Sequence, residues 1–209
     1  NQPDESPVLS YPQGIDEIEH ALRPLHCFNS YGLFRVMTRT RPEIIIETSR
    51  DAEDWQIVRF HWKASAPTDS PRFAGPHMPR IDWQMWFEGL NCERYAGHPF
   101  SRFLYGRFLE LTARGAEPND FSDLPKVLGA RETEALSQAP PQAQREALLN
   151  YNHLMSSFLS RSLWFGRLLK AIGQGNETVL GQFREGSKSH TPANFIRVSL
   201  HHYEFSTDS

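Results

Sequence analysis

A chain of 209 residues, 39% of them hydrophobic, is long and apolar enough to bury a core of its own, which excludes an intrinsically disordered protein. Its 22 basic and 25 acidic residues leave a formal net charge of -3, without the concentrated cationic excess of a nucleic-acid binder, so no nucleic-acid partner is expected. The richest apolar window, residues 163–172, is broken by Gly166, Arg167 and Lys170 and falls short of the ~20 residues that span a bilayer; a membrane anchor is expected only in segments outside this chain, which begins at Asn1 like a processed or excised piece.

Residues 1–24 carry Pro3, Pro7, Pro12, Gly14 and Pro24 among acidic side chains and read as an extended linker with a short helix near residues 16–22. One domain is expected over residues 25–209. Strand character begins near Cys27 and is clearest in residues 43–48 and 56–62, where β-branched and aromatic residues dominate. The polar loop from Ser49 to Trp55 predicts an antiparallel hairpin, with Val58, Phe60 and Trp62 on one face of its second strand and Ile57, Arg59 and His61 on the other. Pro67, Pro71, Pro76 and Pro79 then predict a long loop over residues 64–80.

Asp82 stands where an N-cap belongs, ahead of Trp83, Trp86, Phe87 and Leu90 at helical spacing. A second helix is predicted at residues 99–113, with Phe100, Phe103, Leu104, Phe108 and Leu111 on one side and Gly115 as its stop. Beyond a polar stretch reaching Pro141, helices are expected at residues 142–160 and 162–172. Asn176 fits the cap of a short helix toward Phe183, and Asn176-Glu177-Thr178 is also an N-glycosylation sequon if the chain enters a secretory lumen. Residues 194–205 alternate Ile196, Val198 and Leu200 against Arg197 and Ser199 and predict a strand closing the sheet begun near Cys27. Strands at both ends with helices grouped between them do not make a parallel α/β fold. The expected class is α+β or mainly β, an antiparallel β-sandwich with a helical insertion at about residues 94–160.

No G-x-S-x-G elbow, H-E-x-x-H pair or phosphate loop occurs, so no catalytic residue, metal site or cofactor is expected. His201 and His202 are adjacent in a predicted strand and point to opposite faces, which cannot serve one metal ion. Cys27 and Cys92 lack C-x-x-C spacing and read as two buried thiols or as one bridge in an oxidising compartment. His77, Arg80 and Asp82 could form an acid–base group, but the favoured reading is structural: Asp82 caps the helix, Arg80 pairs with Glu47 or Asp82, and His77 fixes the loop. Asn29, Tyr31 and Arg35 order a turn before a strand, or line a sugar site. Trp83, Trp86 and Phe87 suit a client-binding surface, with Arg80 and His77 beside them, although their helical spacing favours core packing of at least two of the three.

Two strings carry a family resemblance. Asn29-Ser30-Tyr31-Gly32-Leu33-Phe34-Arg35-Val36-Met37-Thr38, followed by Arg41-Pro42-Glu43-Ile44-Ile45-Ile46-Glu47, resembles the soluble domain of the lipase maturation factor family. Pro76-His77-Met78-Pro79-Arg80-Ile81-Asp82-Trp83-Gln84-Met85-Trp86-Phe87 is similar to that family's P-R-L-D-W-Q-M-W-F signature, and the likeness continues at Trp164-Phe165, residues 175–180, 195–198 and 203–205. Thr48-Ser49-Arg50-Asp51-Ala52 departs from the family's Gly-Ser-x-Asp-Gly turn, putting Ala52 where a glycine is usual, and a longer segment follows the aromatic string. The loop from Asp51 to Trp55 also resembles hairpins of galactose-binding-like jelly rolls. The family resemblance implies a non-catalytic domain of an endoplasmic-reticulum membrane protein, facing the lumen and helping dimeric lipases to fold. In a bacterial relative the domain would face the periplasm from the inner membrane. A carbohydrate- or lipid-binding β-sandwich module is the alternative reading.

Overall fold

The computed structural model describes residues 40–63, 65, 69, 72–73, 79–188 and 190–204. The linker expected at residues 1–24 and the motif residues Asn29, Tyr31, Gly32 and Arg35 lie outside them, as do Cys27 and His77. The described fold is mostly helical, with one small antiparallel sheet, and the β-sandwich expectation is overturned. Strand β1 (Thr40–Ser49) is central, between β2 (Gln56–Ile57) and β3 (Phe195–Glu204). Two short helices beyond those expected lie within the polar middle of the chain, and together the described helices are the body of the fold rather than an insertion in a sandwich.

The strand expected at residues 56–62 shrinks to two paired residues because its backbone finds partners other than β1. Val58 still donates to the Ile46 carbonyl at 2.8 Å. Beyond it, the Arg59 and Phe60 amides donate to the hydroxyls of Ser187 and Ser65, and the Trp62 and Lys63 amides donate to Asp82. Side-chain acceptors thus replace the ladder. Phe60 keeps an isolated bridge to Phe183, their rings edge to face at 5.0 Å.

β1 and β3 pair over their full length, from Thr40 against Glu204 to Ser49 against Phe195. Alternation places Pro42, Ile44, Ile46 and Thr48 on one buried face of β1. Helix α1 (Arg80–Ala96) crosses that face, and Gly89 makes the approach possible: a Cβ there would sit 2.6 Å from the Pro42 carbonyl oxygen. Pro42 costs the sheet no bond, because β2 reaches only Glu47 and Thr48 of β1.

Helix α2 (Pro99–Ala113) forms where the sequence places it, opened by Pro99 and followed by Gly115 at φ 104. Short helices α3 (Leu124–Leu128) and α4 (Ala130–Ser137) occupy the polar stretch that reaches Pro141, where no helix is expected. Helices α5 (Pro141–Ser157) and α6 (Leu163–Gly173) are joined by one π-helical turn, Phe158–Ser162, and α7 is the short Glu177–Leu180. The helical core centres on Phe108, stacked on Phe158 at 4.8 Å and edge to face with Phe121 at 5.4 Å. Gly166 lets α6 close on α2, since a Cβ there would lie 2.6 Å from the Cβ of Thr112.

Candidate functional site

Residues 80–96 concentrate the side chains that the sequence marks as functional, and a buried polar cluster at their N-terminal end sets their position. Asp82, 2% exposed, does not cap its helix; Pro79 holds the N-cap position, and no side chain bonds there. Instead Asp82 Oδ1 accepts the backbone N–H of Trp62 at 3.0 Å and of Lys63 at 2.8 Å. Lys63, also buried, places its Nζ 2.5 Å from Glu43 and donates to the Ile44 carbonyl at 3.3 Å. Burial lowers the Lys63 pKa, while Glu43 opposes that shift. Arg41 forms a second ion pair with Glu43. Helix, strand and following loop are thereby clamped by charge-assisted bonds, and removing one partner of such a buried pair costs about 3–5 kcal/mol.

On this clamped helix the apolar stripe read from the sequence is displaced. Asp82, Met85, Glu88 and Gly89 are the buried positions of its first three turns, with Gly89 against β1, and this burial turns Trp83, Trp86 and Phe87 aside. Their rings form a triangle with centroids 5.6, 5.4 and 5.4 Å apart. Trp83 is 36% exposed, and Trp86 and Phe87 are half-buried, so none of the three is a fully buried core residue. Arg80 is exposed one turn before Trp83 and pairs with neither Glu47 nor Asp82 among the described residues. Glu47 is taken by Arg197, which reaches it with two bonds at 2.7 and 2.9 Å and lies 4.3 Å over the Trp55 ring. Those bonds hold the Glu47 carboxyl below its usual range.

The loop after β1 is built on Asp51, whose Oδ1 accepts the N–H of Glu53 and of Asp54, each at 2.9 Å. These donors hold its pKa down to about 2. Ala52 adopts φ 67, the left-handed conformation that a glycine would take at this turn. Asn176 is exposed and accepts the Val179 N–H at 3.1 Å, capping α7.

A second polar network escaped the sequence reading. Glu88, 1% exposed, accepts a hydrogen bond from the Tyr105 hydroxyl, and the Cys92 thiol lies 3.4 Å from the same oxygen. Burial raises the Glu88 pKa and pushes the Cys92 thiol up to about 12, which opposes thiolate formation. Cys92 carries no disulfide. The signal available in sequence was a glutamate on the same helical face as Met85 and Cys92, a polar residue in an apolar row. His202 points toward α1 and Glu93 at 3.3 Å, while His201 lies by Ser199 at 3.0 Å on the other face.

Residues 27–117 match the family described as Lipase maturation factor C-terminal domain, a segment that includes β1, the clamp and the aromatic triangle. Lipase maturation factor 2 of Mus musculus is 41% identical over 204 residues, covering 90% of this chain and 27% of the relative. The Gallus gallus protein of the same name is 31% identical over 190 residues, covering 86% and 25%. Lipase maturation factor 1 of Homo sapiens is 35% identical over 73 residues, covering 32% and 13%. The chain therefore spans about a quarter of the length of the lipase maturation factor 2 relatives it matches. No solved structure matches it.

Proposed function

This chain belongs to the lipase maturation factor family, and from that membership we propose that it is a non-catalytic, client-binding region that assists the folding or assembly of dimeric lipases. The observation that carries the reading is the aromatic triangle of Trp83, Trp86 and Phe87. It stands partly open on a helix that Asp82 and Gly89 fix against the sheet. Rigid aromatic side chains are favoured interface anchors because they bury large area with little loss of rotamer freedom. Exposed Arg80 supplies a hydrogen-bonding cation at the edge of the same surface.

The setting we propose is a longer membrane protein of the endoplasmic reticulum with this region on the lumenal side, or its periplasmic equivalent in a bacterium. Among the described residues no helix is long and apolar enough to cross a membrane. The alternative of a carbohydrate- or lipid-binding β-sandwich module is not carried forward, since one three-stranded sheet and no sandwich is found among the described residues.

The test is co-expression of the full-length parent protein with a dimeric lipase, reading secreted lipase activity. A Trp83→Ala, Trp86→Ala double variant that keeps its thermal transition is expected to lower active lipase at least tenfold, since two hot-spot anchors contribute about 2 kcal/mol or more each. Unchanged lipase activity with the folded double variant would remove the triangle from the function.

A further inference from the structure

We propose that the outer edge of β3, unpaired among the described residues, is a docking site for an extended segment of a second polypeptide, apolar at alternate positions and flanked by acidic residues. The direction of the backbone groups gives the first argument. In a strand the N–H and C=O of one residue point to the same side, and successive residues alternate. The Ile46 carbonyl accepts from Val58, and the Ile44 carbonyl accepts from Lys63, so both face the β2 side of β1. Ile45 and Glu47 then face β3, where Ser199 and Arg197 lie opposite them. It follows that the backbone groups of Ile196, Val198, Leu200 and His202 point outward, where no strand pairs with them among the described residues. The ten residues of β3 contain no proline, no lysine and no bulge in their register with β1, the usual protections of an edge.

The side chains of the same outward-facing residues give the second argument. Ile196, Val198 and Leu200 are half-buried and floor a groove of about 1130 Å3 whose opposite wall is Leu109 and Ala113 of α2 and Leu169 of α6. A strand added to β3 would send every second side chain into this groove while its backbone pairs with the edge. Charge selects the occupant. Arg102, Arg114 and Lys170 rim the groove with one carboxylate, Glu110, which Arg107 and Arg114 already engage. Arg102 and Lys170 have no ion-pair partner among the described residues. A second copy of β3 would offer Glu204 as its single carboxylate, at its end, so an acidic-flanked segment of another polypeptide complements the rim better. That this segment belongs to an incompletely folded client rests on the reading above; the pairing itself does not.

The experiment is fluorescence anisotropy with a labelled ten-residue peptide that alternates valine and threonine between terminal aspartates, titrated with the full 209-residue chain. Saturable binding is expected. Val198→Pro should weaken it at least about tenfold by removing one outward donor and obstructing the added strand, whereas Val198→Thr stays within about threefold. Lys170→Glu should weaken the aspartate-flanked peptide and improve a lysine-flanked one. Two N-methylated peptides, modified on the valine or on the threonine amides, keep the test independent of how the variants fold: one set is expected to bind and the other to fail. No saturable binding, equal binding of both methylated peptides, or equal binding by a folded Val198→Pro chain overturns the proposal. So does an aspartate-independent dimer of the chain that Val198→Pro dissociates, which would assign the edge to a second copy. Any of these leaves the aromatic triangle standing, because that reading is measured by lipase activity in the Trp83 and Trp86 variant.

Discussion

At the scale of single residues, roles followed environment more than residue type. Asp82 has the chemistry of an N-cap and sits near a helix start, yet it serves two amides of another segment because the chain returns there after β2. Nothing local to residues 79–85 encodes that return. Glu88 shows the same principle with a pH consequence. Its pKa is raised by burial, so the folded state holds the proton more tightly than the unfolded chain. The stability it contributes is fully present below the ordinary glutamate range and is lost as pH rises through the higher folded value. Glu88→Gln keeps an acceptor for the Tyr105 hydroxyl without the proton. We expect wild-type Tm to fall relative to Glu88→Gln as pH is raised above the ordinary glutamate range, read by thermal melts across pH. Parallel Tm profiles for the two chains would show that Glu88 titrates normally.

At the scale of elements, the helical periodicities of residues 99–113 and 162–172 and the alternation of β3 were legible because each is a short-range pattern. The faces were less legible. The row Trp83, Trp86, Phe87 and Leu90 is the more hydrophobic stripe of α1, but Gly89 decides the packing, since only its side of the helix can approach Pro42 closely. Gly89→Ala is expected to destabilise the fold by about 1–3 kcal/mol, the usual cost of inserting a carbon into filled space, read as a lowered urea midpoint at constant slope. An unchanged midpoint would mean that the α1–β1 contact yields without cost. Short helices α3 and α4 lie in the polar stretch reaching Pro141, where no helix is expected; α4 has no fully buried residue to mark an apolar face, while Pro125 and Pro141 sit in the first turns of α3 and α5, where a missing N–H costs no bond.

At the scale of the whole molecule, the helices of residues 94–160 hold the core together. Leu104, Phe108, Phe121, Tyr151 and Phe158 are each at most 2% exposed. Truncating one such aromatic costs about 3–5 kcal/mol against a total stability of about 5–15 kcal/mol. A chain lacking residues 94–160 is therefore expected to lose its cooperative thermal transition by circular dichroism, and a retained sharp transition would show that the sheet and α6 fold without them. The sequence by itself determined that the chain buries a core of its own, through composition, and its family, through an aromatic string too specific to arise from helical periodicity. It also determined the main helices and the strand β3, whose signals lie within a few turns of backbone. Only the tertiary structure decided that the described residues hold one sheet rather than two, that Trp83 stands open, that Asp82 and Glu88 are buried on separate networks, and that β3 is an edge beside a groove among those residues. Each of these depends on what covers a given face, and the covering residues lie far away in the chain, beyond the reach of any local pattern.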